Sequence, residues 1–352
     1  MFSKRYCEIW SFVAGVLIAT ILYAVLMIYF TKSHPGRKAL VHRGTCLVNQ
    51  SAGPIQVFVS NRITLSQVEN KVIGVRRGGT WWPGDCVARS RVAILVPYRN
   101  RERSLVLFLN HMHPFLQRQM LEYTIFIIEQ SANHRFNKGA TVNAGFFEVV
   151  ARGSYNCFII NDVDVFPEDD RILYECADHP RHLATAVDVW NYGLLYGTLF
   201  GGAITFTRNQ FTKVNGFSNS YFGWGGEDDD LKERVTDHGY RIIRSPRNIS
   251  RFRTLPHKRD NNMDRFYYFQ GRKQRYQKDG LNSLQYKLIS FEEKPLYTHI
   301  IIALDKVAIM KHVNSLMKNV SPTLTYRLGI YCNTSNFSMH LILPILAILA
   351  CT

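Results

Sequence analysis

At 352 residues the chain is longer than one typical domain, and a single large α/β domain with terminal segments would account for that length. Its composition, 46% hydrophobic and 13% aromatic, excludes a generally disordered protein. The formal net charge of +16 does not by itself choose among nucleic acid, an anionic membrane and a phosphorylated substrate. Because lysine and arginine are spread along the chain, the charge favours a basic, solvated surface.

Residues 9–30 form an apolar stretch without a charged side chain, which is long enough to span a bilayer. We expect a membrane anchor that is not cleaved. A signal peptide is the alternative, but its apolar part would cover only about 7–15 residues. Basic residues flank the stretch on both sides, so the positive-inside rule does not set its orientation.

Five N-glycosylation acceptor sequences follow the apolar stretch, at Asn49, Asn248, Asn319, Asn333 and Asn336. Four cysteines in the same part lack the Cys-x-x-Cys spacing of zinc sites, namely Cys46, Cys86, Cys157 and Cys176. If this part is lumenal, disulfides are favoured. Buried free thiols are an equal alternative on these residues alone.

Between residues 92 and 161 the chain alternates short apolar runs with helical patterns. The runs at residues 92–98, 123–130 and 155–161 predict strands, and the patterns at residues 103–120 and 138–152 predict helices. Nearly continuous apolar strands are typical of a sheet that helices cover on both faces, so we expect a doubly wound α/β sheet. Ligands bind beyond the carboxyl ends of such strands, here at residues 97–101, 130–138 and 162–164.

Asp162 and Asp164 directly follow the third predicted strand. Two carboxylates in this pattern can hold a hard cation and, through it, a diphosphate. A solvated turn is the alternative for an isolated Asp-x-Asp, but the position at a strand end favours the metal site. His257 offers an imidazole nitrogen, which Mn²⁺ accepts beside carboxylate oxygen.

Residues 221–230, YFGWGGEDDD, combine aromatic residues, glycines and four successive carboxylates. Carboxylates this close repel one another, so they are either fully solvated or used to accept a proton or to bind sugar hydroxyls. The glycines allow a loop to approach a ligand closely, and Trp224 offers a flat apolar face to a pyranose ring. The pattern favours a functional loop.

Six motifs resemble those of β-1,4-galactosyltransferases (glycosyltransferase family 7) and occur in the same order. They are PYRNRER at 97–103, FNKGATVNAGF at 136–146, NDVDVFP at 161–167, FGG at 200–202, FGWGGEDDD at 222–230 and DGLNSLQY at 279–286. The resemblance covers residues 46–302. It implies a GT-A type doubly wound mixed sheet with an N-terminal transmembrane helix, in a single-pass type II protein of the Golgi membrane with a lumenal catalytic domain.

The apolar stretch and the extent of the resemblance together predict a division of the chain. Residues 1–8 are a cytoplasmic tail, 9–30 a signal-anchor transmembrane helix, 31–45 a stem, 46–304 the lumenal GT-A domain and 305–352 a C-terminal tail of unknown role. The apolar end of that tail, residues 339–351, has three open interpretations: a lipid-anchor signal, an interfacial segment or an atypical terminus.

Site roles follow from the resemblance position by position. Asp228 is the general base, and Glu227 is the second catalytic carboxylate. The donor nucleotide sugar is bound by Pro97, Tyr98, Arg99, Arg101, Phe136, Asp162, Val163, Asp164, Leu199 and Trp224. The acceptor is bound by Tyr196, Gly225, Gly226, Glu227, Asp228, Asp229, Arg265, Phe266 and Phe269. Mn²⁺ is bound by Asp164 and His257, and the implied disulfides pair Cys46 with Cys86 and Cys157 with Cys176.

Four residues depart from the family pattern. Leu199 replaces a tyrosine of the galactose-transferring members, and the space it leaves beside the second carbon of the donor sugar suits an N-acetyl group. Thr254 stands where a methionine usually binds Mn²⁺, and its harder oxygen makes it a doubtful metal ligand or moves the preference toward Mg²⁺. Phe269 and Val189 replace an aliphatic residue near the acceptor and a lysine near the donor.

The resulting hypothesis is an inverting hexosyltransferase that moves GalNAc from UDP-GalNAc in β-1,4 linkage to a terminal GlcNAc or related sugar of a glycoprotein or glycolipid. One alternative is a galactosyltransferase that uses UDP-Gal. An alternative of another class is a catalytically weak sugar-binding or regulatory partner of a Golgi transferase. A nucleic-acid binder conflicts with the anchor and with the acidic motifs.

Overall fold

The computed structural model describes residues 20–23, 44–47, 53–60, 62–132, 134–256, 260, 262–318 and 320. The chain divides into two compact units, residues 1–44 and 45–352. In the first unit the described residues are 20–23, which are helical, and Gly44. No helix within the described ranges is long and apolar enough to cross a membrane. Most of the expected anchor, residues 9–30, lies outside those ranges.

The second unit is a mixed α/β domain. Its strands are β1 (Thr80–Trp81), β2 (Arg91–Tyr98), β3 (Glu122–Gln130), β4 (Cys157–Asn161), β5 (Val165–Pro167), β6 (Arg181–His182), β7 (Ala186–Val187), β8 (Ala203–Thr207), β9 (Ile243–Arg244), β10 (Arg251–Thr254), β11 (Tyr286–Glu293) and β12 (Thr298–Leu304). Its helices are α1 (Leu65–Lys71), α2 (Glu102–Arg118), α3 (Lys138–Arg152), α4 (Arg208–Lys213), α5 (Glu227–Asp237), α6 (Asp264–Gln270), α7 (Arg272–Arg275) and α8 (Lys306–Leu316). Short 3₁₀ helices cover Asp188–Trp190 and Leu281–Ser283.

Nine strands form the central sheet, in the order β11-β12-β3-β2-β4-β8-β6-β9, with β1 paired to β3. The pairs β12–β3, β3–β2 and β2–β4 are parallel, whereas β4–β8, β8–β6 and β11–β12 are antiparallel. The three strands and two helices expected between residues 92 and 161 are all present, within two residues of the predicted limits. The mixed sheet agrees with the expected fold class.

The core lies on both faces of this sheet. Val92, Ile94 and Val96 of β2 pack into one hydrophobic cluster, and Ala93 and Leu95 pack into the other. Side chains of α2 complete the first cluster and side chains of α3 complete the second. Successive residues of a strand point to opposite faces, so a strand buried on both faces must be apolar throughout.

The strand order positions the functional site. Strands β3 and β4 lie on opposite sides of β2: the chain passes from β2 to β3 on one side and then returns across β2 to β4 on the other, so the direction of the connections reverses there. A crevice forms at the carboxyl ends of strands at such a switch point. Residues 99–101 follow β2 there and residues 162–164 follow β4. A second, three-stranded sheet, β5-β10-β7, begins directly after residue 164.

Two disulfides join distant parts of the domain. Cys46 is bonded to Cys86 with a Cα–Cα distance of 5.0 Å, and Cys157 to Cys176 with a distance of 5.4 Å. Both distances lie in the usual range for disulfides. The pairing implied by the family resemblance is therefore confirmed, and the free-thiol alternative is wrong for these four cysteines.

Candidate active site

Two adjoining cavities lie at the carboxyl ends of β2 and β4. The smaller has a volume of about 350 Å³ and the larger of about 950 Å³. Five residues line both cavities: Asp162, Asp164, Trp224, Glu227 and Asp228. The two acidic motifs of the sequence therefore meet at the junction of the cavities, although they are more than sixty positions apart in the chain.

The smaller cavity has three cationic side chains in its wall, Arg99, Arg101 and Lys138. The Arg99 guanidinium lies 5.4 Å from the ring centroid of Phe136, so an aromatic face is available beside the cations. Arg101 bonds Asp164 Oδ2 at 2.8 Å. Cations next to a planar aromatic ring suit a nucleoside diphosphate, whose phosphates carry negative charge and whose base can stack.

Lys138 is the first residue of α3, and the Asn137 side chain caps this helix by accepting a hydrogen bond from the Ala140 amide. Its Nζ atom lies 3.1 Å from Asp162, 3.0 Å from Asp228 and 3.9 Å from Glu227. Burial alone would lower the lysine pKa, but these carboxylates outweigh burial and raise it. Lys138 therefore stays charged and bridges the two acidic motifs.

Lys138 was not among the predicted site residues. It ends the polar stretch 130–138, which was expected to lie at the carboxyl ends of the strands, so its position was predicted but its contacts were not. Those contacts depend on the approach of two segments that are remote in sequence.

Helix α5 places the second acidic motif. Gly226 precedes the helix with φ of 98°, a left-handed conformation that side chains disfavour. The carboxylates of residues 227–230 all lie in the first turn, where the positive end of the helix dipole stabilises negative charge. The glycines at 223, 225 and 226 thus lie in a loop, and the four carboxylates that follow them begin the helix.

Asp228 packs against the backbone of Gly201 in the FGG motif. A Cβ atom on Gly201 would overlap the Asp228 carboxylate, which would then have to move. The absence of a side chain at Gly201 therefore permits this position of the carboxylate.

Burial raises the pKa of both Glu227 and Asp228, and the charge of Lys138 opposes the rise. A carboxylate with a raised pKa is suited to accept a proton near neutral pH. Glu227 Oε2 is buried and has no hydrogen-bond partner within the part of the chain that the structure describes. A buried polar atom usually has a partner, so this oxygen is available to a ligand hydroxyl.

Asp230, the fourth carboxylate, serves another purpose. It is fully buried, bonds Arg234 Nε at 2.6 Å and accepts a hydrogen bond from the Tyr221 hydroxyl at 2.9 Å. Arg275 lies 3.5 Å away and pairs with Asp279 at 2.6 Å. This ionic cluster fixes the start of α5 to the domain interior.

The larger cavity has an aromatic wall. The Arg265 guanidinium contacts two aromatic rings, at 5.1 Å from the ring centroid of Trp224 and 4.8 Å from that of Phe266. The Tyr196 hydroxyl donates a hydrogen bond to Asp229 at 2.7 Å. Burial raises the pKa of Asp229, whereas the bond from Tyr196 lowers it. Aromatic faces beside carboxylates suit a sugar, which presents apolar ring faces and hydroxyl groups.

Leu199 lines the same cavity with an apolar side chain. Its backbone is fixed on both sides, because its amide donates to Tyr196 O at 3.1 Å and its carbonyl accepts from Arg244 at 2.8 Å. The side chain at this position therefore has a defined place in the cavity wall.

The structure brings most of the predicted site residues together. Those lining the cavities are Pro97, Arg99, Arg101, Phe136, Asp162, Val163, Asp164, Val189, Tyr196, Leu199, Trp224, Gly225, Gly226, Glu227, Asp228, Asp229, Thr254, Arg265, Phe266 and Phe269. Tyr98 is an exception, since it is 5% exposed, packs in the core and lines neither cavity. Its side chain lies in the same cluster as Ile94 and Val96, because every second residue of a strand points to the same face of the sheet.

Several other predicted residues lie elsewhere. Asn248 is exposed in a turn. His257 and the acceptor asparagines Asn49, Asn319, Asn333 and Asn336 lie outside the described residues. Within the described ranges there is no group of three or more histidine, cysteine, aspartate or glutamate residues that could hold a metal ion.

The oxygen atoms of two residues in the larger cavity nevertheless suit a hard divalent cation. Asp164 and Thr254 both line the larger cavity, and the Leu255 amide bonds the Asp164 carbonyl at 3.0 Å, which holds their segments together. Carboxylate and hydroxyl oxygens are ligands that Mn²⁺ and Mg²⁺ accept.

Comparison with known proteins identifies the family. Residues 46–177 match the profile described as the N-terminal region of glycosyl transferase group 7, and residues 181–258 match that of the N-terminal domain of galactosyltransferase. Beta-1,4-galactosyltransferase 4 of Cricetulus griseus is 40% identical over 278 residues, covering 77% of this chain and 80% of that protein. The Homo sapiens protein of the same name is 43% identical, covering 71% and 74%.

Solved structures agree with this result. The catalytic domain of Drosophila β-1,4-galactosyltransferase 7 in complex with xylobiose is 31% identical, with a TM-score of 0.54 over 61% of this chain and 94% of that one. A variant of the same enzyme, solved with manganese, UDP-Gal and xylobiose, is 30% identical with a TM-score of 0.53. The predicted family, enzyme class and Mn²⁺ cofactor agree with these relatives. The chain belongs to the β-1,4-galactosyltransferase family, glycosyltransferase family 7, and is a hexosyltransferase of the inverting type.

Proposed function

We propose that this protein transfers GalNAc from UDP-GalNAc in β-1,4 linkage to a terminal GlcNAc or related sugar on a glycoprotein or glycolipid. The observation that carries the choice of donor is Leu199 in the wall of the larger cavity. Its side chain is smaller than the tyrosine of galactose-transferring members and offers no hydroxyl. The space and the apolar surface suit the methyl end of an N-acetyl group.

The arrangement of the two cavities supports a direct displacement. The nucleotide occupies the smaller cavity beside Arg99 and Arg101. The larger one holds the acceptor against Tyr196 and Phe266, together with the side of the donor sugar that faces Leu199. The reacting sugar is then at the junction, where both compartments share Asp228. Donor and acceptor approach this point from opposite sides, which is the geometry for inversion.

In the reaction, Asp228 removes the proton of the acceptor hydroxyl as that oxygen attacks the anomeric carbon. The bond from this carbon to the UDP oxygen breaks, and UDP leaves with the electron pair. Lys138, Arg99 and Arg101 provide positive charge beside the departing group. Lewis-acid stabilisation of the diphosphate is the chemistry that a Mn²⁺ held by Asp164, Thr254 and His257 would supply, and Mg²⁺ is the second candidate.

We also place the protein in the Golgi membrane as a single-pass type II protein with a lumenal catalytic domain. The apolar stretch at residues 9–30 supports an anchor, and two disulfides require an oxidising compartment. Protease protection of sealed vesicles tests this topology: the domain is protected if lumenal and digested if cytoplasmic.

Substitution of Leu199 by tyrosine tests the choice of donor. We expect Leu199→Tyr to lower the rate with UDP-GalNAc and raise the ratio of UDP-Gal to UDP-GalNAc transfer by at least about tenfold, corresponding to about 1.4 kcal/mol of transition-state discrimination. Leu199→Ile is the matched control and should keep the preference for UDP-GalNAc. A donor ratio that does not change in Leu199→Tyr contradicts the proposal.

UDP-Gal remains the second candidate donor. The specific observation in its favour is that the relatives named above are galactosyltransferases. A wild-type enzyme that transfers Gal faster than GalNAc at equal donor concentrations would establish it.

A further inference from the structure

Three polar residues lie at one edge of the small sheet β5-β10-β7. Strand β10 is antiparallel to β5 and parallel to β7. The first residue of β5 and the last residues of β10 and β7 therefore lie at the same end of the strands. Asp164 directly precedes β5, Thr254 ends β10 and Asp188 directly follows β7. Two of the three, Asp164 and Thr254, line the larger cavity, whereas Asp188 is not part of its wall.

Asp188 is bound to Thr254 through two hydrogen bonds. Its Oδ1 atom accepts one from the Thr254 amide at 3.0 Å and one from the Thr254 hydroxyl at 2.9 Å. The same oxygen accepts a third from the Val189 amide at 2.8 Å, which fixes the carboxylate. The hydroxyl proton therefore points at Asp188, and the lone pairs of the Thr254 oxygen are directed elsewhere and can bind another group.

A hydroxyl oriented in this way is a better metal ligand than one that rotates freely. Donation to a carboxylate increases the negative character of the oxygen and fixes the direction of its lone pairs. A water-facing threonine would instead have to lose rotational freedom when it binds a cation. Thr254, which replaces the methionine of most family members, can thus provide an oxygen ligand to the cation.

We infer that Asp188 is a positioning residue for the divalent cation: it accepts the hydrogen bond from the Thr254 hydroxyl and so presents the Thr254 oxygen as a ligand beside Asp164. The inference rests on the proposed function, which supplies the cation. Asp188 was not among the predicted site residues, and it acts on the cation only through Thr254.

Manganese binding to the full chain in detergent tests the inference. Free Mn²⁺ is measured by electron paramagnetic resonance during titration with MnCl₂ alone, without donor or acceptor. Thr254→Val removes the hydroxyl and keeps the amide bond to Asp188, and Asp188→Asn weakens the acceptor. We expect each to lower Mn²⁺ affinity at least about tenfold, the lower end of the effect usual for residues that orient a metal ligand. Thr254→Ser keeps the hydroxyl and should bind as the wild type does.

The double variant distinguishes positioning from an independent effect. If Asp188 acts through Thr254, adding Asp188→Asn to Thr254→Val lowers affinity no further. Wild-type affinity in Thr254→Val, or an equal loss from Asp188→Asn in both backgrounds, overturns the inference. Failure of the proposed function is distinguishable, because it would show as a wild-type protein that binds Mn²⁺ and transfers no sugar.

Discussion

Replacement of Lys138 by methionine removes the cation that bridges the two acidic motifs. The ammonium lies 3.0 Å from Asp228 and 3.1 Å from Asp162, and the lysine side chain is 13% exposed. At an effective dielectric constant of about 20, each contact has a Coulomb energy of about 5 kcal/mol, which the desolvation of the ions offsets in part. Because the carboxylates are partly exposed, we expect Lys138→Met to lower the free energy of unfolding by about 2–4 kcal/mol at pH 7.

The stability lost in Lys138→Met should increase as pH rises. Burial raises the pKa of Asp228 and Lys138 opposes the rise, so the variant raises this pKa further. Native Lys138→Met then keeps a proton at pH values where its unfolded chain, with an ordinary aspartate pKa, has lost it. When the pKa of a carboxyl group is higher in the native state than in the unfolded state, the free energy of unfolding falls as pH rises, by up to about 1.4 kcal/mol per pH unit for one proton.

Urea unfolding of the disulfide-bonded protein at pH 5 and pH 7 measures this dependence. The difference in unfolding free energy between wild type and Lys138→Met should widen toward pH 7. Lys138→Arg keeps the charge and should show a smaller difference with little change over this range. A difference that is constant, or that narrows as pH rises, refutes the electrostatic role of Lys138.

Three further substitutions test the construction of the site. Asp228→Asn should lower kcat by about 10²–10⁴-fold while leaving the dissociation constant of the UDP-sugar unchanged, and unaltered turnover would remove Asp228 from the role of base. Gly201→Ala places a methyl group against the Asp228 carboxylate, so kcat should fall at least tenfold; normal kinetics would show that the close contact is unimportant. Asp230→Asn breaks a fully buried ion pair with Arg234 and should lower the free energy of unfolding by about 3–5 kcal/mol in urea titrations, whereas a loss below about 1 kcal/mol would contradict the structural role of this pair.

The central strands were predictable because burial on both faces leaves a simple pattern in the sequence. Strands β2, β3 and β4 are apolar nearly throughout, and each is followed by polar residues. This pattern alone predicts that Asp162 and Asp164 lie at the carboxyl end of β4, where ligands bind. The short strands β5, β7 and β10 have two to four residues, too few for a periodic signal, so the small sheet was not predicted.

The division of labour within residues 227–230 was not predictable from composition. Four adjacent carboxylates look equivalent in sequence, but in a helix successive residues are separated by about 100°. Glu227, Asp228 and Asp229 therefore face the cavities, whereas Asp230 turns toward Arg234 in the interior. Tyr98 belongs to a family motif, but the alternation of side chains along β2 places it in the same hydrophobic cluster as Ile94 and Val96.

The contacts of Lys138 and Asp188 were missed because each partner is remote in sequence. Asp228 lies ninety positions from Lys138, and Thr254 lies sixty-six positions from Asp188. No local pattern signals such pairs. They follow from the sheet topology, which was established only when the strand order was known.

The proposal that this chain is a β-1,4 transferase with a preference for GalNAc is tested most directly by its product. The full chain in detergent is incubated with Mn²⁺, a GlcNAc-terminated acceptor and equal amounts of UDP-GalNAc and UDP-Gal, and the linkage of the product is determined by nuclear magnetic resonance. We predict a β-1,4-linked GalNAc as the main product. A main product that carries Gal would contradict the donor preference, and an α-linked product, a linkage to another hydroxyl, or hydrolysis of the donor without transfer would contradict the reaction itself.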